Sequence, residues 1–145
     1  MSEERVDLSM KGATLEHIYV DKNKDEIYFQ SAGKQWAMWH EQECCEAVVI
    51  EDISGDINDL LGSPLLVAEE YTKEEPEGDW GELVIYTFYR LGTAKGFVDI
   101  RWHGESNGYY SVGVEFGELR EVLERPYCDE PSLWSELIRK RNINE

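Results

Sequence analysis

Two stretches of this sequence gather side chains that do chemistry. The run His40-Glu41-Gln42-Glu43-Cys44-Cys45-Glu46 sets an imidazole beside two thiols. Those groups are the material of a metal site or a thiol nucleophile. Neighbouring residues on a strand point to opposite faces, so Cys44 and Cys45 serve one site only across a bulge. A tetrahedral zinc site also needs a second C-x-x-C or H-x-x-x-H, which the chain lacks, and Cys128 lies far off in the tail. A Cys packed as a small apolar side chain explains the motif more simply, and no metal is expected. The other stretch alternates Arg101, His103 and Glu105, followed by Asn107, Tyr109 and Ser111. A His beside a Glu can be a base with its orienter, and Arg101 can hold an anion. The same residues equally describe the solvated side of a hairpin. His40 is the residue expected to join them from another strand.

A third group, Asp52, Asp56 and Asp59, has the composition of a Ca²⁺ or Mg²⁺ loop but not the EF-hand order. Helix capping accounts for Asp56 and Asp59. The sequence holds no G-x-x-x-x-G-K-[ST], G-x-G-x-x-G, G-x-S-x-G or H-E-x-x-H. No catalytic residue is assigned, no cofactor is expected, and an enzyme is the less favoured reading.

Charge narrows the partners. The 145 residues carry 14 Lys+Arg against 31 Asp+Glu, a net −17. Nucleic-acid phosphates and anionic membrane surfaces are repelled by such a chain. Residues 69–82 hold Glu69, Glu70, Glu74, Glu75, Glu77, Asp79 and Glu82 against a single Lys, with Pro76, Gly78 and Gly81 as breakers. They read as a solvated acidic loop, suited to a protein partner with a basic surface. The first ten residues contain three acids and no apolar run, so no signal peptide is expected. No apolar stretch is long enough to span a bilayer. Three cysteines, two of them adjacent, make a poor disulfide framework and read as reduced thiols in a cytosolic setting.

The elements that must position these groups are short alternating runs between turns. They predict a mainly β (α+β) chain: one antiparallel, curved sheet or barrel-like meander, with a short helix after Asp56 and a C-terminal helix. Ile18/Val20, Ile27/Phe29, Trp36/Met38 and Ala47/Val49/Glu51/Ile53 mark strands. Leu65 to Ala68 begins another, and Leu83 to Leu91, apolar on both faces, reads as central. Phe97 to Phe116 reads as a hairpin through the loop Ser106-Asn107-Gly108. Its register sets Trp102 opposite Val112, Ile100 opposite Val114 and Val98 opposite Phe116, which buries both apolar sets. The division is residues 1–15 as an N-terminal segment, 16–118 as the β domain and 119–145 as an extension. Leu133, Trp134, Leu137 and Ile138 stripe a helix in that extension.

Three blocks carry a resemblance: His40 to Glu46, the stretch Ile50-Glu51-Asp52-Ile53-Ser54-Gly55-Asp56 continuing to Pro64, and Gly104-Glu105-Ser106-Asn107-Gly108-Tyr109-Tyr110-Ser111. With Ala68-Glu69-Glu70 and Tyr86-Thr87-Phe88-Tyr89 they resemble a family of small bacteriophage and mobile-element proteins over residues 16–118. The resemblance implies a phage-type accessory protein in the cytoplasm of an infected bacterium, and carries over no activity. With the charge, it gives the leading expectation of a non-enzymatic acidic protein that inhibits a host defence or nucleic-acid-processing protein. The alternative is sequestration or hydrolysis of a small ligand or nucleotide on the Arg101/His103 face.

Overall fold

The computed structural model describes residues 5–75, 82–108 and 110–119. They form two antiparallel sheets. In spatial order the first sheet is β1 (Val6–Asp7), β6 (Val67–Glu74), β7 (Leu83–Thr93), β8 (Gly96–Ser106) and β5 (Ala47–Ser54). The second is β2 (Leu15–Val20), β3 (Glu26–Ser31), β4 (Lys34–Trp39) and β9 (Glu115–Glu118). Their inner faces meet in one apolar core. Tyr89, Leu91, Val98, Ile100 and Trp102 come from the first sheet, and Leu15, Ile27, Phe29 and Met38 from the second, all at most 2% exposed. Each such side chain contributes roughly 1.5–3 kcal/mol by leaving water. Leu8 and Met10, ahead of β2, pack into the same core. A smaller cluster of Tyr28, Ala37, Trp39 and Leu119 forms separately.

The mainly β, antiparallel class therefore holds, but the single sheet or barrel does not. Alternation marks which side chains point inward, whereas a sandwich also requires a choice of sheet, and that is made by long-range pairing. The expected α-helix after Asp56 is one 3₁₀ turn, Ile57–Leu60, and the chain is extended again at Leu61. Its cap does form: the Asp56 carboxylate accepts the Asn58 N–H at 2.9 Å. The expected C-terminal helix lies outside the described residues, and no described helix is long and apolar enough to cross a membrane.

Three further expectations change. In β5 the buried side chains are Val48 and Ile50, while Val49 is 42% exposed. A bulge between Ile50 and Asp52 inserts one residue and turns Ile53 back toward the core. The acidic stretch from Glu69 is not all loop. β6 pairs with β7 as far as Glu74↔Ile85, and the Glu75 N–H donates to Val84 O at 2.9 Å. Acidic composition reports solvent contact; it does not remove a backbone from a ladder.

The expected 97–116 hairpin does not form, because β7 and β5 occupy both edges of β8. Residues 110–114 instead lead into the other sheet, where β9 pairs with β4 through Met38↔Phe116. Val112 still reaches the core, 2% exposed, by lying over Gly104. A Cβ on Gly104 would stand 2.7 Å from Val112 Cβ and 2.8 Å from Val112 O. Only glycine permits that approach. Gly108, at φ +91°, takes the left-handed position expected of it.

Candidate functional site

The strand register collects carboxylates at one end of the sandwich. β6 and β8 finish there while β5 and β7 begin, so the first sheet contributes Glu74, Glu75, Glu82 and Glu105. β2 and β4 finish there while β3 and β9 begin, which adds Asp21, Asp25, Glu26 and Glu115. The 40–46 connection between the sheets brings Glu41, Glu43 and Glu46. We call this end the acidic pole.

His40 and Glu46 clamp the pole together. The Glu46 side chain is 0% exposed. Its carboxylate accepts the Glu43 N–H at 2.7 Å, the Cys44 N–H at 2.9 Å and His40 Nε2 at 2.8 Å. Burial alone would raise this carboxyl, but the two backbone donors and the imidazole outweigh it and hold the group down at about 2. His40 Nδ1 donates to Gly113 O at 2.6 Å. The two contacts together fix the imidazole between the buried carboxylate and the crossover carbonyl. His40 thus ties the 40–46 connection to the 110–114 crossover and does not join Arg101 and His103. The reason is topological: β4, which delivers His40, belongs to the other sheet.

Beside the clamp, carboxylate oxygens of Asp21, Asp25 and Glu26 lie within 4.8 Å of one another. Burial, a hydrogen bond with Asp21 and the charges of Glu26 and Asp21 push Asp25 up to about 6. Tyr28 donates its hydroxyl to Glu26 Oε1 at 2.8 Å. A cavity of about 320 Å³ opens here, lined by Asn23, Asp25, Glu26, His40, Gln42 and Val48. Oxygen donors this close suit a hard cation, and a proton shared by Asp21 and Asp25 relieves the same repulsion. The cysteines overturn both expectations made of them. Cys44 and Cys45 are exposed rather than packed as core side chains, and they are joined to each other as a disulfide.

On the outer face of the first sheet, cross-strand rows Tyr71–Phe88–Arg101 and Lys73–Tyr86–His103 lie side by side. Tyr71 and Phe88 stack at 4.8 Å, and Tyr86 meets the His103 ring edge-on at 5.2 Å. Arg101 Nε donates to Glu51 at 2.7 Å, and His103 lies 3.5 Å from Glu51 and 3.3 Å from Glu105. A groove of about 300 Å³ runs between Glu51, Lys73, Glu75, Tyr86, Phe88 and Arg101. Of the expected patch, Arg101, His103 and Glu105 do share this face. Asn107 sits in the turn after β8, and Ser111 Oγ accepts the Gly113 N–H in the crossover. Tyr109 lies outside the described residues. Sequence reasoning missed Glu51 and Lys73, which arrive through the bulge in β5 and the extension of β6. Tyr86 and Phe88 were legible as sharing one apolar face of a central strand, but not as the face turned away from the core. The charges on this face largely neutralise one another.

The carboxylates from 69–82 divide. Glu74, Glu75 and Glu82 reach the pole, Glu69 pairs with Arg5 at 3.1 Å, and Glu70 lies close to Tyr89. Burial, with the charges of Glu70 and Glu115, keeps the Tyr89 hydroxyl protonated. Glu77 and Asp79 lie outside the described residues.

No curated protein and no solved structure matches this chain. Residues 7–116, from β1 to the second residue of β9, match one family along their whole length, and the chain belongs to it: Domain of unknown function (DUF7448).

Proposed function

We propose that this chain is a non-enzymatic acidic binding protein of phage type, acting in an infected bacterium. It docks its acidic pole on a basic surface of a host defence or nucleic-acid-processing protein and so inhibits it. One observation carries the reading: the register of both sheets gathers carboxylates at one end, on a chain of net −17. Such a field steers a basic partner inward and makes association sensitive to salt. Glu74, Glu75 and Glu82 are the part of the 69–82 set that supports it, with Glu77 and Asp79 between them in sequence. The test is affinity capture from host lysate over a salt series, with a Glu74→Gln/Glu75→Gln/Glu82→Gln variant alongside. The same basic partner should be lost as salt rises and held more weakly by the variant. Retention indifferent to both rejects the reading.

A second reading rests on the outer groove, where Lys73 makes no ion pair among the described residues and lies beside Tyr86 and Phe88. A planar anionic ligand such as a nucleotide suits that combination. Stabilisation of several degrees by one nucleotide in a thermal-shift screen, lost in Lys73→Ala, would favour it.

A further inference from the structure

Cys44 and Cys45 are consecutive, both exposed, and bonded Sγ to Sγ. We propose that they form a redox-modification site: a reversible dithiol–disulfide couple presented on the acidic pole. The backbone around the pair is held without help from the sulfurs. Glu43 and Cys44 donate their N–H groups to Glu46, while Gln42 Nε2 donates to Glu46 O at 2.7 Å and to Cys44 O at 3.3 Å. These contacts keep the two side chains adjacent whether or not the sulfurs are joined.

A structural role for the bond is weak on physical grounds. A disulfide stabilises by closing a loop of chain in the unfolded state, and a bond between consecutive residues closes almost none. The bond is exposed, and exposed disulfides are among the labile, regulatory kind.

Reduction follows thiol–disulfide exchange with a dithiol. One thiolate of the dithiol attacks a cysteine Sγ, breaks the Sγ–Sγ bond and expels the other cysteine as a thiolate, which takes a proton. The second thiol of the dithiol, as thiolate, then resolves the mixed disulfide. Two electrons pass to the protein, giving two cysteine thiols, and the dithiol leaves as a cyclic disulfide. A small disulfide of the glutathione class reverses the sequence. Glu41 and Glu43 flank the site, exposed, so an anionic thiol approaches against their field and a neutral one does not.

The site stands whether or not the pole docks on a partner, because thiol chemistry alone reads it. The full chain carrying Cys128→Ser is treated with oxidised glutathione or with dithiothreitol, desalted, and alkylated with N-ethylmaleimide. By mass, the oxidised chain should take up no adduct and the reduced chain two, through repeated cycles, with the urea midpoint unchanged between the states. Reduction by a neutral thiol should be several-fold faster than by a sulfonated thiol of similar structure, and the gap should close at high salt. Two adducts in both states, or disulfide-linked dimers in place of the internal bond, would overturn the site. A large loss of stability on reduction would make the bond structural, and equal rates for the two thiols would remove it from the acidic field.

Discussion

Asp25→Asn isolates the electrostatics of the acidic pole. Asp25 sits against Asp21 and Glu26 and holds its proton up to about 6, against an ordinary 3.8. Folding therefore favours the protonated acid. Its contribution is fully present below pH 3.8 and is lost as pH rises through 6. In full, a gap of about two pH units corresponds to about 3 kcal/mol. Asp25 is only partly buried, and solvent screening reduces this to on the order of 1 kcal/mol. Asparagine stands in permanently for the protonated acid. The variant should match the natural chain near pH 4 and exceed it by that amount at pH 8. Urea unfolding followed by tryptophan fluorescence reads this well, because Trp36, Trp39 and Trp102 are at most 5% exposed. With a slope of about 2 kcal/mol/M, the midpoint gap should open to about 0.5 M. The contribution of Glu46 runs with the opposite sign, but it is common to both chains and cancels in the difference. A gap that is flat from pH 4 to 8, or a variant that weakens at high pH, refutes the reasoning.

Two other substitutions test the clamp and the crossover. Glu46 is held at about 2, below its usual 4.5, so its contribution is present above pH 4.5 and disappears as pH falls through 2. Glu46→Gln should lower stability at neutral pH and flatten the acid limb of a near-UV circular dichroism titration; parallel limbs would show that the clamp contributes nothing. Gly104→Ala drives a Cβ against Val112, including its backbone oxygen. Overpacking costs about 1–3 kcal/mol, partly offset by the roughly 0.4–1 kcal/mol that alanine gains through the unfolded chain. The net loss should be about 1–2 kcal/mol in urea unfolding, and a neutral or stabilised variant would mean that the crossover does not lie on Gly104.

Local chemistry was enough to mark many individual positions. Trp102, Ile100 and Val98 read as one buried face, Leu83 to Leu91 as a central strand, and Asp56 as a cap, because each signal depends on residues a few positions apart. The surplus of carboxylates was equally plain, since charge is a sum over composition. Tertiary structure decided which residues meet. β8 acquires both of its neighbours from distant sequence, so the expected hairpin partner was displaced to the other sheet. The bulge at Glu51 set an acid beside Arg101 and His103 that no spacing announces. His40 found Glu46 six residues away but Gly113 only through the crossover. The adjacent cysteines, legible as two thiols, became an exposed disulfide on the acidic pole because buried hydrogen bonds at Glu46 hold the 42–46 backbone with both side chains facing solvent. Periodicity states whether a side chain is inside or outside; only the pairing of strands states what it faces.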